Sequence, residues 1–148
     1  MSYLLPQNAG SVQTTGTFTP ALTPTTSGSI TLGDDTLSYI KTGLHVHIEG
    51  FIDVGSTSSP VGNLTLTGLP FTSEASAVSS EHLNGFPIVS EQWSSAPANL
   101  LIGRIGGGST TIIFLDGANG TGGTSAVSAG DVQSSTGFYF NFSYTANA

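Results

Sequence analysis

Two short stretches constrain this chain more than anything else in it. In Gly137-Phe138-Tyr139-Phe140-Asn141-Phe142-Ser143-Tyr144 the even positions are Phe138, Phe140, Phe142 and Tyr144. The odd positions carry Tyr139, Asn141 and Ser143. In Gly43-Leu44-His45-Val46-His47-Ile48-Glu49-Gly50 the apolar residues Leu44, Val46 and Ile48 alternate with His45, His47 and Glu49, and Ile52 and Val54 continue the even series. A period of two places alternate side chains on opposite faces of a strand. Both segments therefore read as strands with one buried face. Each buried aromatic contributes roughly 2–3 kcal/mol, so 137–144 is expected to anchor the core. Gly50 interrupts the even series, which predicts a bulge there.

No window has the apolar spacing of an amphipathic helix. The 20 glycines and 7 prolines interrupt the chain every few residues. Between them lie short alternating or apolar runs, the pattern of an all-β sandwich or barrel. The predicted strands are 16–22, 29–32, 36–41, 44–54, 62–69, 85–89, 99–105, 110–115, 126–129 and 137–144. Gly33-Asp34-Asp35 and Asp116-Gly117 have turn chemistry. Gly106-Gly107-Gly108 is expected to join two paired strands, and 117–123 to form an exposed loop tip. Residues 73–80 read as one helical turn or a loop.

The chain has 148 residues, enough for one core. Residues 15–148 are assigned to a single sandwich domain and residues 1–14 to an N-terminal arm. The arm carries one apolar cluster, Tyr3, Leu4 and Leu5, followed by Pro6 and small polar residues. It lacks the basic region and apolar core of a signal peptide.

Composition narrows the function. Only 7% of residues are charged, 2 basic against 9 acidic, for a net charge of -7. Nucleic-acid binding needs clustered Lys and Arg, which are missing. No run approaches the ~20 apolar residues of a membrane span, and no basic amphipathic stretch suits an anionic membrane surface. There is no cysteine, which excludes disulfides, thiolate metal sites and a Cys nucleophile.

His45, His47 and Glu49 share a strand face, and H-x-H on a strand can hold a metal ion. Glu49 lies about 13 Å from His45 along a flat strand, too far for one ion. His82 is the only other histidine. Cupins, which are metal-binding jelly rolls, place a Glu three or four residues beyond the second His and a further His on a later strand. Glu49 follows His47 by two residues, and no His follows His82. The expectation is therefore a solvated polar face with no metal and no cofactor, and a cupin-like metal-dependent enzyme is the second alternative. In a threefold assembly one His per subunit could instead meet on the axis.

No G-x-S-x-G or P-loop occurs. A carboxylate pair for glycoside cleavage would have to come from Asp34, Asp35, Asp53, Glu81, Glu91 or Asp116. The expectation is loop acids and no catalytic residue. Lys41 and Arg104, the only fixed cations, are expected to pair with carboxylates. Trp93, the single Trp, is either a core edge or a sugar-stacking platform, with the core edge favoured.

The order of the motifs carries a resemblance. Gly16-Thr17-Phe18-Thr19-Pro20 opens the domain. Tyr39-Ile40-Lys41-Thr42-Gly43 then leads into the long polar-faced strand. Asn63-Leu64-Thr65-Leu66-Thr67-Gly68-Leu69-Pro70-Phe71 follows, and the aromatic strand 137–144 closes it. Over most of 15–145 this resembles the β-sandwich domains of tailed-bacteriophage virion proteins: head-decorating proteins, tail fibres and tailspikes. The resemblance implies an antiparallel, jelly-roll-like β-sandwich, a homotrimer and a place in the virion, with no enzymatic activity. The short lead into the domain favours a head decoration or cement protein that grips the major capsid protein through residues 1–14. The alternative is a receptor-binding tip that recognises host cell-surface glycan, with Trp93 as a stacking residue.

Overall fold

A computed structural model describes residues 12–75, 84–117 and 123–148. Tyr3, Leu4, Leu5, Glu81 and His82 lie outside the described residues, as do 76–80 and 118–122.

The strands are β1 (Gln13–Phe18), β2 (Ala21–Pro24), β3 (Ser27–Leu32), β4 (Leu37–Thr42), β5 (His45–Val61), β6 (Leu64–Thr67), β7 (Asn84–Pro87), β8 (Val89–Glu91), β9 (Leu101–Ile105), β10 (Ile112–Asp116), β11 (Ser125–Ala126) and β12 (Gly137–Thr145). Among the described residues one 3-10 turn occurs, at Ala129–Asp131, with the Ser128 side chain accepting from the Gly130 N–H. The first sheet has the order β1-β4-β5-β12-β8, with β3 also pairing β5. The second has the order β2-β6-β10-β9-β7, with β11 also pairing β10. Every pairing is antiparallel. The expected all-β sandwich is what forms. Gln13 and Thr14, assigned to the arm by sequence, are the first residues of β1.

The period-two patterns set the core. Val46, Ile48, Ile52 and Val54 of β5 and Phe138, Phe140, Phe142 and Tyr144 of β12 are all buried. They face Leu22, Leu64, Leu66, Leu101, Ile105, Ile112 and Phe114 of the second sheet. Aromatic contacts join the two layers. Phe86 of β7 stacks on Phe142 of β12 at 4.0 Å, and Phe114 of β10 meets Phe138 at 5.3 Å.

Two predicted strands divide, and a third shortens, where the chain changes sheets. In 16–22 the break is Thr19-Pro20: β1 belongs to the first sheet and β2 to the second. Proline has no N–H for a ladder, so a corner is where it fits. In 85–89, β7 edges the second sheet and β8 the first, with buried Ile88 between them. Predicted 62–69 shortens to β6, because Gly62 turns the corner with φ +98 and a Cβ there would lie 2.5 Å from Thr26 Oγ1.

Other expectations are corrected. Leu44, assigned to the buried face, is 43% exposed because it sits in the β4–β5 turn and the strand begins at His45. Gly50 makes no bulge: pairing with β12 runs regularly from Gly137↔Asp53 through Phe140↔Gly50 to Thr145↔His45. Its missing side chain makes room for Leu37, whose Cδ2 would be 2.9 Å from a Cβ. The irregularities lie in the pairing with β3, one at Gly55, where Thr31↔Ser56 is followed by Leu32↔Val54, and one where Ser27↔Val61 is followed by Ser29↔Ser58. Predicted 126–129 ends early, in the 3-10 turn. Gly106 to Gly108 does join a pair, β9 and β10.

Tyr144 ties the core to the rim. Its ring is 2% exposed and its hydroxyl donates to the Phe71 carbonyl at 2.9 Å. Burial pushes the phenol up to about 12, partly opposed by that hydrogen bond. An unfolded tyrosine ionises near pH 10. Between these values the folded state holds a proton that the unfolded state has lost, so stability falls as pH rises. The expected loss between pH 10 and 12 is roughly 2–3 kcal/mol. It is measured by urea unfolding at stepped pH, with Tyr144→Phe as the variant in which the loss shrinks.

Candidate functional site

Three concave regions adjoin at one corner of the sandwich, where β7, β8 and β9 meet the loop 92–100. The central groove, about 330 Å³, is lined by Ile88, Val89, Ser90, Trp93, Ala96, Pro97, Asn99, Leu100 and Leu101. Leu100 also walls an apolar hollow of about 350 Å³ formed with Gly85, Phe86, Pro87 and Ile102. Pro97 also walls a smaller polar hollow of about 130 Å³, which contains Asp116, Ser125, Ser128 and Asp131. The corner thus runs from an apolar end, past an aromatic, to an acidic and hydroxyl-rich end.

Each wall has a local cause. Trp93 is half-buried: its ring meets buried Phe138 edge-on at 5.4 Å and 84°. Its Nε1–H donates to Ser90 Oγ at 2.9 Å. That contact fixes the indole plane, so the ring is at once a core edge and a groove wall. The structure shows the core-edge role expected for Trp93, packed against the buried cluster. Asp116 holds the loop: its carboxylate accepts from the Ala98 N–H at 3.1 Å and the Asn99 N–H at 3.0 Å. Ser94 Oγ donates to the Asp131 carbonyl at 2.7 Å, pinning the other end of the loop. Leu100, 60% exposed, projects between the two larger hollows.

Sequence reading missed Pro97, Leu100 and Asp131 as members of this corner. Asp116 was visible as half of an Asp-Gly turn and as one of the loop acids. No local pattern announces the groove, because it forms where strands distant in sequence converge.

His45 and His47 lie on the outer face of the first sheet. His47 Nδ1 is 2.9 Å from Ser143 Oγ, its cross-strand partner, and His47 Nε2 is 3.9 Å from Glu49 Oε2. Among the described residues no three His, Cys, Asp or Glu side chains gather as a metal site. Further along the same face Phe51 and Tyr139 pack at 4.6 Å, and Tyr139 donates to Glu91 Oε1 at 3.3 Å. The Tyr139 phenol is pushed above its usual range, first by desolvation and then by the Glu91 charge.

Among the described residues, neither fixed cation has the close carboxylate contact expected from sequence. Lys41 Nζ donates to the Gly43 carbonyl at 2.6 Å and sits 5.3 Å from the centre of the Phe71 ring. Arg104 Nε is buried without an acceptor, and among the described residues neither cation has a carboxylate ion pair. Short turns explain Lys41: the nearest carbonyl is two residues away.

No family model and no curated protein matches this chain. Among solved structures, a crystal structure of Dettilon tailspike protein (gp208) superposes with a TM-score of 0.69 and 22% identity. The match covers 91% of this chain and 24% of the tailspike chain. This chain shares its fold with part of a tailspike. It spans about a quarter of that protein's length, so the likeness is between one sandwich and a portion of a larger molecule.

Proposed function

We propose that this chain is a β-sandwich structural module of a tailed-bacteriophage virion, working in the tail appendage that meets the host. The observation that carries this reading is the superposition over 91% of the chain on a portion of a tailspike. The order of the four sequence motifs supports a place in the virion and is shared by head-decorating and tail proteins alike. We assign receptor contact to the Trp93 corner and host cell-surface glycan as its ligand. An aromatic face offers a surface for sugar C–H groups. Asn99, Ser90 and the hydroxyls and carboxylates beyond Pro97 offer hydrogen-bond partners around it. The module acts by binding. Asp53, Glu91 and Asp116 are already engaged as acceptors for Asp34, Tyr139 and the 98–99 backbone, which supports structural duty for these carboxylates.

The head-decoration role is the competing reading, and location on the particle separates the two. Immunogold labelling of intact virions with antibody to this chain is expected to place gold at the tail tip or fibres. Gold spread over the head would overturn the appendage reading in favour of decoration. Unlabelled particles would remove the virion reading altogether.

A further inference from the structure

We propose that the Trp93 groove is one end of a longer site, which crosses β8 onto the outer face of the first sheet and holds further sugar units on the Phe51 and Tyr139 rings. This extension rests on the glycan reading of the Trp93 corner and names the class of ligand: a chain of several uncharged sugars, not a single terminal one.

Val89 joins the two places. It lines the Trp93 groove, and on β8 it is the cross-strand partner of Tyr139. β8 is the edge of the first sheet. A ligand leaving the groove over that edge meets Val89, then Tyr139 on β12, then Phe51, the partner of Tyr139 on β5. The row spans two strand spacings, about 10 Å. Phe138 and Phe140 point into the core, so Tyr139 between them points out.

The row is exposed yet held in place. Val89 is 67% and Tyr139 45% exposed. The two rings pack at 4.6 Å, tilted by 44°. Phe51 lies over Gly137, where a Cβ would come 2.8 Å from its Cε2. The Tyr139 hydroxyl is held by Glu91 Oε1 at 3.3 Å. Rings fixed before the ligand arrives spare part of the ordering cost of binding, and their faces suit sugar C–H groups. Hydrogen-bonding groups border them. Exposed Asn141 is the next outward residue of β12, with Glu49 opposite it, and Glu91 lies on the other side, opposite Gly137.

Charge selects the class of sugar. Glu49 and Glu91 flank the rings, and Asp116 and Asp131 stand at the far end of the corner. The fixed cations are elsewhere: Lys41 sits over Phe71, and Arg104 is on β9 of the second sheet. A chain carrying carboxylates or phosphates would be repelled along this path, whereas neutral hydroxyls can donate to its acceptors.

The test uses the full chain and the host's surface polysaccharide, freed of lipid and cut into sized fragments. Binding is followed by calorimetry and by emission of the single Trp. Long fragments are expected to bind about tenfold more tightly than the shortest ones, the scale of one interface hot spot. Tyr139→Ser is expected to remove that advantage. Val89→Lys, which sets a long charged side chain between groove and rings, is expected to do the same. Affinity should change less than about twofold from low to high salt. Equal binding of long and short fragments, or a length advantage that survives both substitutions, overturns the proposal and leaves the corner a glycan site. Strongly salt-dependent binding overturns the uncharged class. A Tyr139→Ser variant with altered mass in solution and unaltered fragment binding makes the rings a subunit contact and overturns the proposal as well. If no fragment binds, the glycan reading of the corner fails and the extension falls with it.

Discussion

Replacing Phe138 with alanine is expected to cost about 3–5 kcal/mol of unfolding free energy, roughly a fifth or more of what a domain commonly has. The ring is fully buried and touches both layers: Phe114 across the sandwich at 5.3 Å and Trp93 at 5.4 Å. Removing it leaves a cavity that neither neighbour can fill without leaving its own partners. In urea the midpoint should fall with an unchanged slope. Because Trp93 leans on Phe138, its emission should shift to the red in the folded variant, reporting a loosened groove wall. A loss below about 1 kcal/mol would mean that this aromatic contact is not central to the core.

Gly103→Val is expected to destabilise by about 3 kcal/mol or more, the upper end of the overpacking range. Gly103 lies on the inner face of β9 opposite Phe114. A Cβ there would sit 2.4 Å from the Phe86 ring and 3.0 Å from Ile88 Cδ1. Phe86 cannot swing away freely, since its other face is stacked on Phe142 at 4.0 Å. Combining Gly103→Val with Phe86→Leu should recover part of the loss in thermal melts. No recovery would show that the clash lies elsewhere.

These two positions also show how far sequence reaches. Phe138 was legible because its alternation with Tyr139, Asn141 and Ser143 states the buried face outright. Gly103 was not, because a glycine that makes space for an aromatic from another strand leaves no periodic trace. β4, β12 and the first half of β5 in the first sheet were legible as runs. The corners were not: Pro20 and Ile88 carry the chain between sheets in the middle of runs that read as continuous, and Gly62 does so at the start of one. β5 continues past Val54 to Val61 through Gly55-Ser56-Thr57-Ser58-Ser59-Pro60, which has no apolar alternation and is a strand because β3 pairs it. Of the candidate corner, Trp93 stood out as the single Trp and Asp116 as one of the loop acids. Their neighbours are brought together by pairing between segments far apart in sequence.

β5 is the strand on which the first sheet turns. Its first half pairs β4 on one side and β12 on the other, and its second half pairs β3. The hairpins to β3 and β4 form among residues close in sequence. The partner on the remaining side, Gly137–Thr145, leaves the ribosome some 80 residues after β5 does. Until then Ile48 and Ile52 lack the Phe138, Phe140 and Phe142 side of the core. A sandwich closed by so distant a contact folds late and slowly, in the millisecond-to-second range typical of all-β domains. Nascent chains stalled before residue 137 are thus the stage at which this protein is most exposed to chaperones and to misassembly.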